Sequence, residues 1–505
     1  MSLRFEIPES LTTKNFITLL RQRIATQQIS REKILATSYD SFDWRLYANG
    51  ITAERLQTVS SSFFLLKSLE NSLIIASAEI TDVPVFSNDF RSEKIRHTLA
   101  PLLAMRALIP ICTFEYQEIK LAIRNQENKI ILRITIEEYE KFNNRIYLQP
   151  LKGYKKAAKP IIEMITGNLG FTEIDESVLT TALKIQGSRP LDYSSKLNFQ
   201  LIPDMRADTA TKTIFRHLLK TMKANEQGTL SDTDSEFLHD FRVAIRRTRT
   251  GLSQLKSVFP DNIHIYYGVF FSWLGQITSP TRDLDVYLLN FTDYRDSLPS
   301  SMRDDINPLY DFLVIKKQAA QQELVAHLGS SKYRSAMAEW ESYLNDATLT
   351  SPCLMDTGLT IELLANKIIW KNHKRVLSKG SALTINSPEE SFHELRKSCK
   401  KLRYLIEFFQ SLYPQEQISI LIKKLKDLQD VLGAFQDYQV QQCHLKMFSQ
   451  EMLTRNLPVE TFLAMGVLIQ NLENHKYHAR KQFESRFEAY QQIENELPLK
   501  ALFSH

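Results

Sequence analysis

The sequence contains two segments in which a histidine is followed by basic residues at intervals of three and four. The first reads His239-Asp-Phe-Arg242-Val-Ala-Ile-Arg246-Arg247-Thr-Arg249, and the second reads His393-Glu-Leu-Arg396-Lys-Ser-Cys-Lys400-Lys401-Leu-Arg403. At about 100° per residue, the first, fourth, eighth and eleventh positions of either segment fall within an arc of about 80° on a helix. Each segment therefore predicts a helix with one cationic stripe.

Such a stripe does not stabilise its own helix, because like charges three and four residues apart repel each other. A bound phosphate chain would offset the repulsion. Each charge-assisted hydrogen bond to an anionic oxygen contributes about 1.5 to 3 kcal/mol, and arginine can contact two oxygens at once. The first hypothesis is therefore a polyanion site. Solvated helix faces, with histidines satisfied by backbone carbonyls, are the structural alternative.

The two segments belong to a longer internal duplication. The offset from His239 to His393 is 154 residues, and the same offset pairs Arg282-Asp283-Leu284-Asp285-Val286 with Gln436-Asp437-Tyr438-Gln439-Val440, and Lys220 with Lys374. An apolar stripe beside each cationic stripe repeats as well, so each helix has one face to pack and one face that offers charge. The unbroken register predicts two equivalent helical repeats.

The duplication also defines the predicted binding residues. Asp283 and Asp437 are equivalent and are expected to orient neighbouring arginines, with an ordinary helix salt bridge as the alternative. Asp285 corresponds to Gln439, which argues against a repeated metal centre. Lys423, Lys424 and Lys426 form a further, more exposed cationic patch. The residues predicted to bind the polyanion are His239, Arg242, Arg246, Arg247, Arg249, His393, Arg396, Lys400, Lys401, Arg403, Lys220, Lys374, Arg282, Lys423 and Lys426.

Composition and cysteine usage bound the class of protein. The net charge of +5 over 505 residues does not by itself indicate a polyanion-binding protein, so the clustering of basic residues must carry that inference. The four cysteines, Cys112, Cys353, Cys399 and Cys443, form no CxxC pair, which argues against a zinc site and fits a reducing compartment. No signal-peptide core and no run of about 18 apolar residues is present. These features predict a cytoplasmic protein that does not cross a membrane.

The chain is predicted to be a multidomain α+β protein. Up to about residue 155, short β-branched and aromatic runs, such as KIILRITIEE ending at Glu138, predict mainly strands. A connection at residues 184–195 separates a domain over residues 1–190 from an all-α domain over residues 200–505, where apolar residues recur at three- and four-residue intervals. The two repeats of the second domain are predicted at about residues 205–345 and 355–505.

From about residue 205 to 450 the sequence resembles the CHAD family. The segments HDFRVAIRRTR, TRDLDV, HELRKSCKKLRY and LKDLQDVLGAFQD stand where such domains have their signature helices. The resemblance implies two repeated four-helix bundles around a basic central cavity that binds inorganic polyphosphate, often at intracellular polyphosphate granules. The departures are modest: Thr248 stands where leucine is usual, and Gln436 and Gln439 soften the second Arg-Asp-Leu-Asp motif.

The first half is similar in fainter outline to the CYTH, or triphosphate tunnel, family. The stretch SYDSFDWRLYANGITAERL from Ser38, RALIPICTFE from Arg106 and IYLQPLKGYKKAA from Ile146 find counterparts there. The resemblance implies an antiparallel β-barrel whose active members carry Glu-x-Glu-x-Lys on one strand. Here Arg4-Phe5-Glu6-Ile7-Pro8 retains one glutamate, so a divalent metal would lose its anchor. Arg55, Arg133 and Glu137 could still line the tunnel, with surface positions as the alternative.

Three functions follow from these observations. The first is non-enzymatic binding of polyphosphate or another polyanion, without a cofactor. The second is a metal-dependent triphosphatase in the first domain, which the incomplete Glu-x-Glu-x-Lys motif argues against. The third is nucleic-acid binding, although the cationic stripes lack interleaved aromatic residues for stacking on bases. The sequence does not predict an oligomeric state.

Overall fold

The computed structural model describes residues 3–346, 358–493 and 499–503, so that Cys353 lies outside the described residues. The chain divides into two compact units, Met1–Ser194 and Ser195–His505. The first unit is built on an antiparallel sheet and the second is helical, which confirms the predicted α+β class. Among the described residues, no helix is both long enough and apolar enough to span a membrane.

Over its described residues, the sheet unit contains nine strands in one sheet. In chain order they are β1 (Leu3–Glu6), β2 (Thr26–Asp40), β3 (Ile51–Gln57), β4 (Ser62–Ser68), β5 (Ile74–Glu79), β6 (Ile109–Arg124), β7 (Ile130–Tyr139), β8 (Arg145–Pro150) and β9 (Thr172–Glu173). The order across the sheet is β5-β4-β3-β2-β6-β7-β8-β1-β9, and every neighbouring pair is antiparallel. Five helices accompany it: α1 (Thr13–Arg23), α2 (Arg45–Ala48), α3 (Glu93–Leu103), α4 (Lys155–Asn168) and α5 (Val178–Ile185).

Alternation along β7 shows how the sheet separates a core from a cavity. Leu132, Ile134 and Ile136 are fully buried in an apolar core that also takes side chains from α1 and α4. Glu137 and Tyr139 point to the other face and line a cavity that residues of seven strands surround. Because successive side chains of a strand point to opposite faces, β7 contributes side chains to both the apolar core and the cavity. The sheet therefore curves around a polar interior.

The helical unit contains twelve helices among the described residues. They are α6 (Ala207–Leu230), α7 (Ser235–Gln254), α8 (Asp261–Ile277), α9 (Ser279–Leu289), α10 (Phe291–Asp296), α11 (Asn307–Leu328), α12 (Ser331–Asn345), α13 (Ile361–Ser381), α14 (Glu389–Phe409), α15 (Gln415–Met452), α16 (Val459–Gln491) and α17 (Leu499–Phe503). The starts of α6, α7 and α8 lie 154 residues before those of α13, α14 and α15.

The two repeats differ mainly where a helix is interrupted. In the first repeat, α8 ends at Ile277 and α9 begins at Ser279, with Pro280 in its first turn. Proline lacks the backbone N–H and its ring clashes with the carbonyl one turn before it, so it breaks a continuous helix. The equivalent residue of the second repeat is Ala434, and there α15 continues through the position. At the interruption, the carbonyl of Gly275 and the hydroxyls of Thr278 and Ser279 accept hydrogen bonds from Arg242 of α7.

A reciprocal pair of hydrogen bonds relates the two repeats. The N–H of Ala207 donates to the carbonyl of Leu359 at 3.0 Å, and the N–H of Ile361 donates to the carbonyl of Met205 at 2.8 Å. Each bond is the other displaced by the repeat offset. This exchange is the pattern expected of a twofold-like arrangement, in which the same surface of each half contacts the other half.

The apolar cores do not follow the repeats one to one. The largest cluster takes side chains from both, including Phe241 of α7 and Phe408 of α14. A second cluster joins α9, α10 and the first half of α11 to the distal half of α15 and the first half of α16. The two helical bundles implied by the resemblance therefore share their apolar packing. The sharing holds α7 and α14 together at the centre of the unit.

Candidate functional site

The cationic stripes lie on α7 and α14. Both helices begin at residues that stabilise the start of a helix. Asp234 caps α7 by accepting hydrogen bonds from the N–H groups of Glu236 and Phe237 at 2.9 and 3.2 Å. Glu389 and Glu390 occupy the first turn of α14, where negative charge favours the positive end of the helix dipole. Both helices bury an apolar face, so the neighbouring cationic stripe is held half-buried beside it.

Arg242 and Arg396 are anchored by α8–α9 and by α15, respectively. One nitrogen of Arg242 donates to the carbonyl of Gly275 at 3.1 Å and to the hydroxyls of Thr278 and Ser279 at 2.7 and 3.1 Å. Burial and the Arg246 charge lower the pKa of Arg242 to about 10, so it remains charged at neutral pH. These bonds use one edge of the guanidinium and fix its plane.

The equivalent arginine of the second repeat is oriented by a carboxylate. Arg396 donates to Asp437 at 3.1 Å. Asp283 is equivalent to Asp437, and partial loss of hydration raises the pKa of Asp283 while the Arg242 charge lowers it. The charge of Asp437 also raises that pKa, which places the two carboxylates near each other. The structure thus sets both predicted carboxylates beside the arginines they were expected to orient.

Arg246 and Lys400 bring the two stripes together. Burial, together with the charges of Arg396 and Arg246, lowers the pKa of Lys400 to about 7. Lys400 therefore lies close to Arg246 of the first repeat as well as to Arg396 of its own helix. The Nε atom of Arg246 is buried and has no hydrogen-bond partner among the described residues. This half-buried meeting of like charges is costly in the free protein and would be relieved by a bound anion.

Glu407, which the sequence analysis did not single out, neutralises two predicted site residues. Its carboxylate lies 2.7 Å from Arg247 and 3.4 Å from Arg403. Arg247 also donates to the carbonyl of Ser195 at 3.0 Å, and both guanidiniums lie over the ring of Tyr404. The spacing of Arg403 and Glu407 is a signal for an ion pair within one helix. The contact with Arg247 of α7 could not be read from spacing.

His239 and His393 occupy the starts of the two stripes, and Arg282 of α9 lies beside the start of α7. The Nδ1 atom of His393 lies 2.6 Å from the side-chain oxygen of Gln436. Arg282 stands at the position equivalent to Gln436 and donates to the carbonyl of Ser235 at 2.9 Å, with Glu236 at 3.8 Å. His239 is half-buried at the position equivalent to His393. Arg282 is therefore held by the first turn of α7.

The remaining predicted residues on this side are more exposed. Arg249 is open to solvent, with one nitrogen 3.4 Å from the hydroxyl of Ser272. The residue equivalent to Ser272 in the second repeat is Lys426, which is exposed, as is Lys423. On α15, residues 426, 430, 433 and 437 follow helical spacing, so Lys426 shares a face with Asp437.

Lys401, Lys374 and Lys220 have other neighbours. The charges that act on Lys401 belong to Arg375, Glu394, Lys379 and Lys397, and burial is the main cause that lowers its pKa. The main charges that act on Lys400 belong instead to Arg396, Arg246, Asp437 and Arg403. Lys374 is exposed and lies 4.9 Å over the ring of Trp370, whereas Lys220 lies near His217. The structure separates these three lysines from the place where the stripes meet.

We name the residues that the structure does bring together the inter-repeat cluster. In it, cationic side chains outnumber carboxylates even when Glu236 and Glu407 are included. Groups that keep a surplus of like charge in partial burial form an anion-binding site if a ligand supplies the missing charge. The members of the inter-repeat cluster are Arg242, Arg246, Arg249, Arg282, Arg396, Lys400, Arg403, Asp283 and Asp437.

The cavity of the sheet unit has a different character. It measures 120 Å³, and two ionic groups in its lining, Glu54 and Lys67, lie 2.6 Å apart. Glu137 accepts hydrogen bonds from Tyr139 and from Tyr147, the latter at 2.9 Å. Burial raises the pKa of Glu137. Glu176, the third carboxylate of the lining, lies 2.5 Å from Lys184, so that each carboxylate of the cavity already has a protein partner.

Two of the three residues expected in the tunnel lie elsewhere. Arg55 donates to Ser62 at 2.9 Å and to the carbonyl of Thr81 at 2.6 Å, outside the cavity, and Arg133 is exposed. Glu137 does line the cavity, together with Arg4 and Arg145, which the sequence analysis did not identify. Strand alternation was the available signal for Arg55, because its neighbours in β3 line the cavity. No group of three or more potential metal ligands occurs among the described residues.

A comparison with protein families identifies the helical unit. The family model of the CHAD domain matches residues 213–446, so the unit contains a CHAD domain and the resemblance predicted for this half is confirmed. This segment includes both cationic stripes and both aspartates of the inter-repeat cluster. No curated protein sequence matches the chain.

Solved structures resemble each half separately. The CHAD domain from the plant Ricinus communis is 22% identical, covers 58% of this chain and 95% of its own, and has a TM-score of 0.49. PptA from Streptomyces chartreusis is 15% identical, covers 56% of this chain and 100% of its own, and has a TM-score of 0.46. A Hippeastrum protein described as having a dominant triphosphatase activity is 11% identical, covers 38% and 99%, and scores 0.29. Scores this low transfer no function.

Proposed function

We propose that the inter-repeat cluster binds inorganic polyphosphate, without catalysis, and that the protein associates with polyphosphate granules through this site. The observation that carries the proposal is the proximity of Arg246 in one repeat to Lys400 in the other, close enough for the first charge to lower the pKa of the second. A linear phosphate polymer supplies several negative charges in a row. It can therefore neutralise cations from both repeats at once.

The chemistry of the cluster favours a phosphate chain over a single anion. Arg242 and Arg396 are each fixed along one edge, which leaves guanidinium nitrogens for phosphate oxygens. Lys400, beside Arg396 and Arg246, contributes a further compact charge. Because the cations come from three helices, α7, α9 and α14, a single small anion would satisfy only part of the surplus charge.

The covered aromatic ring beside the inter-repeat cluster argues against recognition of nucleic-acid bases there. The ring of Tyr404, which lies beside Arg403 of the cluster, is buried and already covered by Arg247 and Arg403. Bases that stack on a protein need an accessible aromatic face. Single-stranded RNA is accordingly expected to compete weakly with polyphosphate at physiological salt.

The test is a double charge reversal, Arg246→Glu with Lys400→Glu, assayed with sodium polyphosphate by isothermal titration calorimetry. We expect affinity to fall by at least 100-fold, and the salt dependence of the remaining binding to become shallower, because fewer phosphates are neutralised. The matched control, Lys256→Glu with Arg334→Glu, reverses two exposed basic residues of the first repeat and should bind like the natural protein. Unchanged binding by the cluster variant at low salt would refute the proposal.

Two further assays test the other candidate functions. Competition by single-stranded RNA at equal phosphate concentration and physiological salt would indicate a nucleic-acid site. Release of phosphate from tripolyphosphate with Mg²⁺ or Mn²⁺ would indicate an enzyme in the sheet unit. We expect neither result. The ring of Tyr404 is covered by two guanidiniums, and in the cavity Glu54 is engaged by Lys67 and Glu137 by two tyrosine hydroxyls.

A further inference from the structure

A second basic surface lies on the outer side of the second repeat, on α13. Its basic residues recur at helical spacing and fall within an arc of about 140° over a length of about 18 Å. All except Lys379 are exposed. The core side of the same helix, including Ile369 and Val376, is fully buried. The basic residues of this surface on α13 are Lys367, Lys371, Lys374, Arg375 and Lys379.

The neighbouring helix α14 extends this surface with Lys397 and Lys401. Glu394 lies between the helices, 2.8 Å from Lys397 and 3.3 Å from Lys379. Hydrogen bonds from Lys397 and Lys379 lower the pKa of Glu394 to about 2, which reflects the surplus of positive charge around it. Glu390, one turn earlier on α14, is a second acidic residue on this side. We call the five basic residues of α13 together with Lys397 and Lys401 the outer face.

The first repeat provides an internal comparison. Its residues at the equivalent positions of α6 and α7 are Thr213, His217, Lys220, Thr221, Asn225, Val243 and Arg247. Burial lowers the pKa of His217, and Arg247 is paired with Glu407. The equivalent surface therefore keeps Lys220 as its one exposed basic residue among these positions. The same helical fold forms without the charge, so packing does not require the outer face to be basic.

We propose that the outer face is a second contact surface for the phosphate polymer, used by chains long enough to extend beyond the inter-repeat cluster. This inference rests on the proposed function, because it concerns the same ligand. It assigns the polymer a direction: the ligand continues over the second repeat, because the equivalent positions of the first repeat offer a single exposed basic residue.

The geometry of α14 allows one polymer to reach both surfaces. Lys400 belongs to the inter-repeat cluster and Lys401 to the outer face, and adjacent residues of a helix point about 100° apart. A chain that leaves the cluster therefore passes around a single helix to meet the lysines of the outer face. Exposed lysines suit this role because their flexible side chains adapt to a mobile polymer without fixed geometry.

The experiment compares short and long ligands on the full chain. The variant Lys371→Glu with Lys374→Glu reverses two exposed positions of the outer face, and Lys256→Glu with Arg334→Glu serves as a control of equal charge change. We expect the outer-face variant to bind tripolyphosphate with unchanged affinity and to bind long-chain polyphosphate at least tenfold more weakly. The control should bind both ligands like the natural protein. Circular dichroism and thermal unfolding establish that both variants are folded.

Each other outcome is decisive. Equal binding of long chains by the outer-face variant and the natural protein overturns the inference and leaves the inter-repeat cluster unaffected. An equal loss in the control variant shows a general charge effect and also overturns it. If the natural protein binds neither ligand, the proposed function itself fails, which the two-ligand design distinguishes from failure of the outer face alone.

Discussion

Raising the pH from 7 to 9 should weaken polyphosphate binding through one lysine, Lys400. In the free protein its pKa lies at about 7, because burial and the charges of Arg396 and Arg246 disfavour its protonated form. A phosphate chain beside it would favour the protonated form and raise the pKa. Binding must then be accompanied by proton uptake. Arg242, with a pKa of about 10, stays mainly charged up to pH 9 and adds little slope of its own.

The magnitude follows from the protonated fraction of Lys400 in the free protein. With a pKa of about 7, that fraction is about one half at pH 7 and about 1% at pH 9, which corresponds to about a 50-fold loss of affinity, or about 2.3 kcal/mol. The loss approaches tenfold per pH unit as long as the pKa in the complex stays above the pH. At pH 8, about 0.9 proton should be taken up for each binding event.

Isothermal titration calorimetry in buffers of different ionisation enthalpy measures both the affinity and the proton uptake. Long-chain polyphosphate keeps the contribution of the terminal phosphates small. The matched control is Lys400→Arg, which places in the second repeat the residue type that Arg246 provides in the first, and its affinity should vary less than threefold over the same range. A natural protein whose affinity is the same at pH 7 and pH 9 would refute the argument about Lys400.

Three further predictions concern stability and catalysis. Between pH 7 and 10.5, Lys400 binds a proton in the unfolded chain but not in the folded protein, so the stability of the free protein should rise with pH. Lys400→Met should remove this slope. Urea denaturation near pH 7 should show a gain in unfolding free energy of about 1 to 2 kcal/mol for this variant. Glu407→Gln should destabilise the protein by about 1 to 3 kcal/mol in the same assay, because Arg247 and Arg403 lose their shared carboxylate. Tripolyphosphate incubated with Mg²⁺ or Mn²⁺ should release no phosphate above background, because the cavity carboxylates are engaged by protein groups.

Each of these has a control and a contradicting result. Lys256→Met removes an exposed lysine and should leave the pH slope unchanged; an equal slope in Lys400→Met would show that other groups cause it. Glu484→Gln removes an exposed glutamate of α16 and should cost little, and a comparable cost for both glutamate variants would deny Glu407 a special role. Metal-dependent phosphate release that Glu54→Gln abolishes would establish an active site in the sheet unit.

The positions of the helices could be predicted because helical spacing is a local property. The repeat offset placed the starts of α6, α7 and α8 in register with α13, α14 and α15, and the stripe of α7 follows from the angle between successive residues. Strand alternation could likewise have placed Arg55 outside the cavity. Its neighbours in β3, Glu54 and Leu56, line the interior, and successive side chains of a strand point to opposite faces.

The partners of each charge depended on packing between distant segments. Arg247 meets Glu407, 160 residues later, and Lys401 turns toward α13, whereas Lys400 turns toward α7. Because the helix is interrupted at Pro280, Arg242 donates to carbonyl and hydroxyl groups, whereas the equivalent Arg396 donates to an aspartate. Such contacts depend on how two helices lie against each other, which no spacing within one helix determines.

The sequence by itself determined that two equivalent helices carry cationic stripes beside apolar ones, since residue type and helical period are sufficient for that conclusion. Only the tertiary structure decided which cations share one site. Shared apolar packing of the two repeats brings Arg246 to Lys400, and it leaves Lys374 and Lys401 on another surface. Electrostatic interaction depends on distance and burial, and both are properties of the packed molecule.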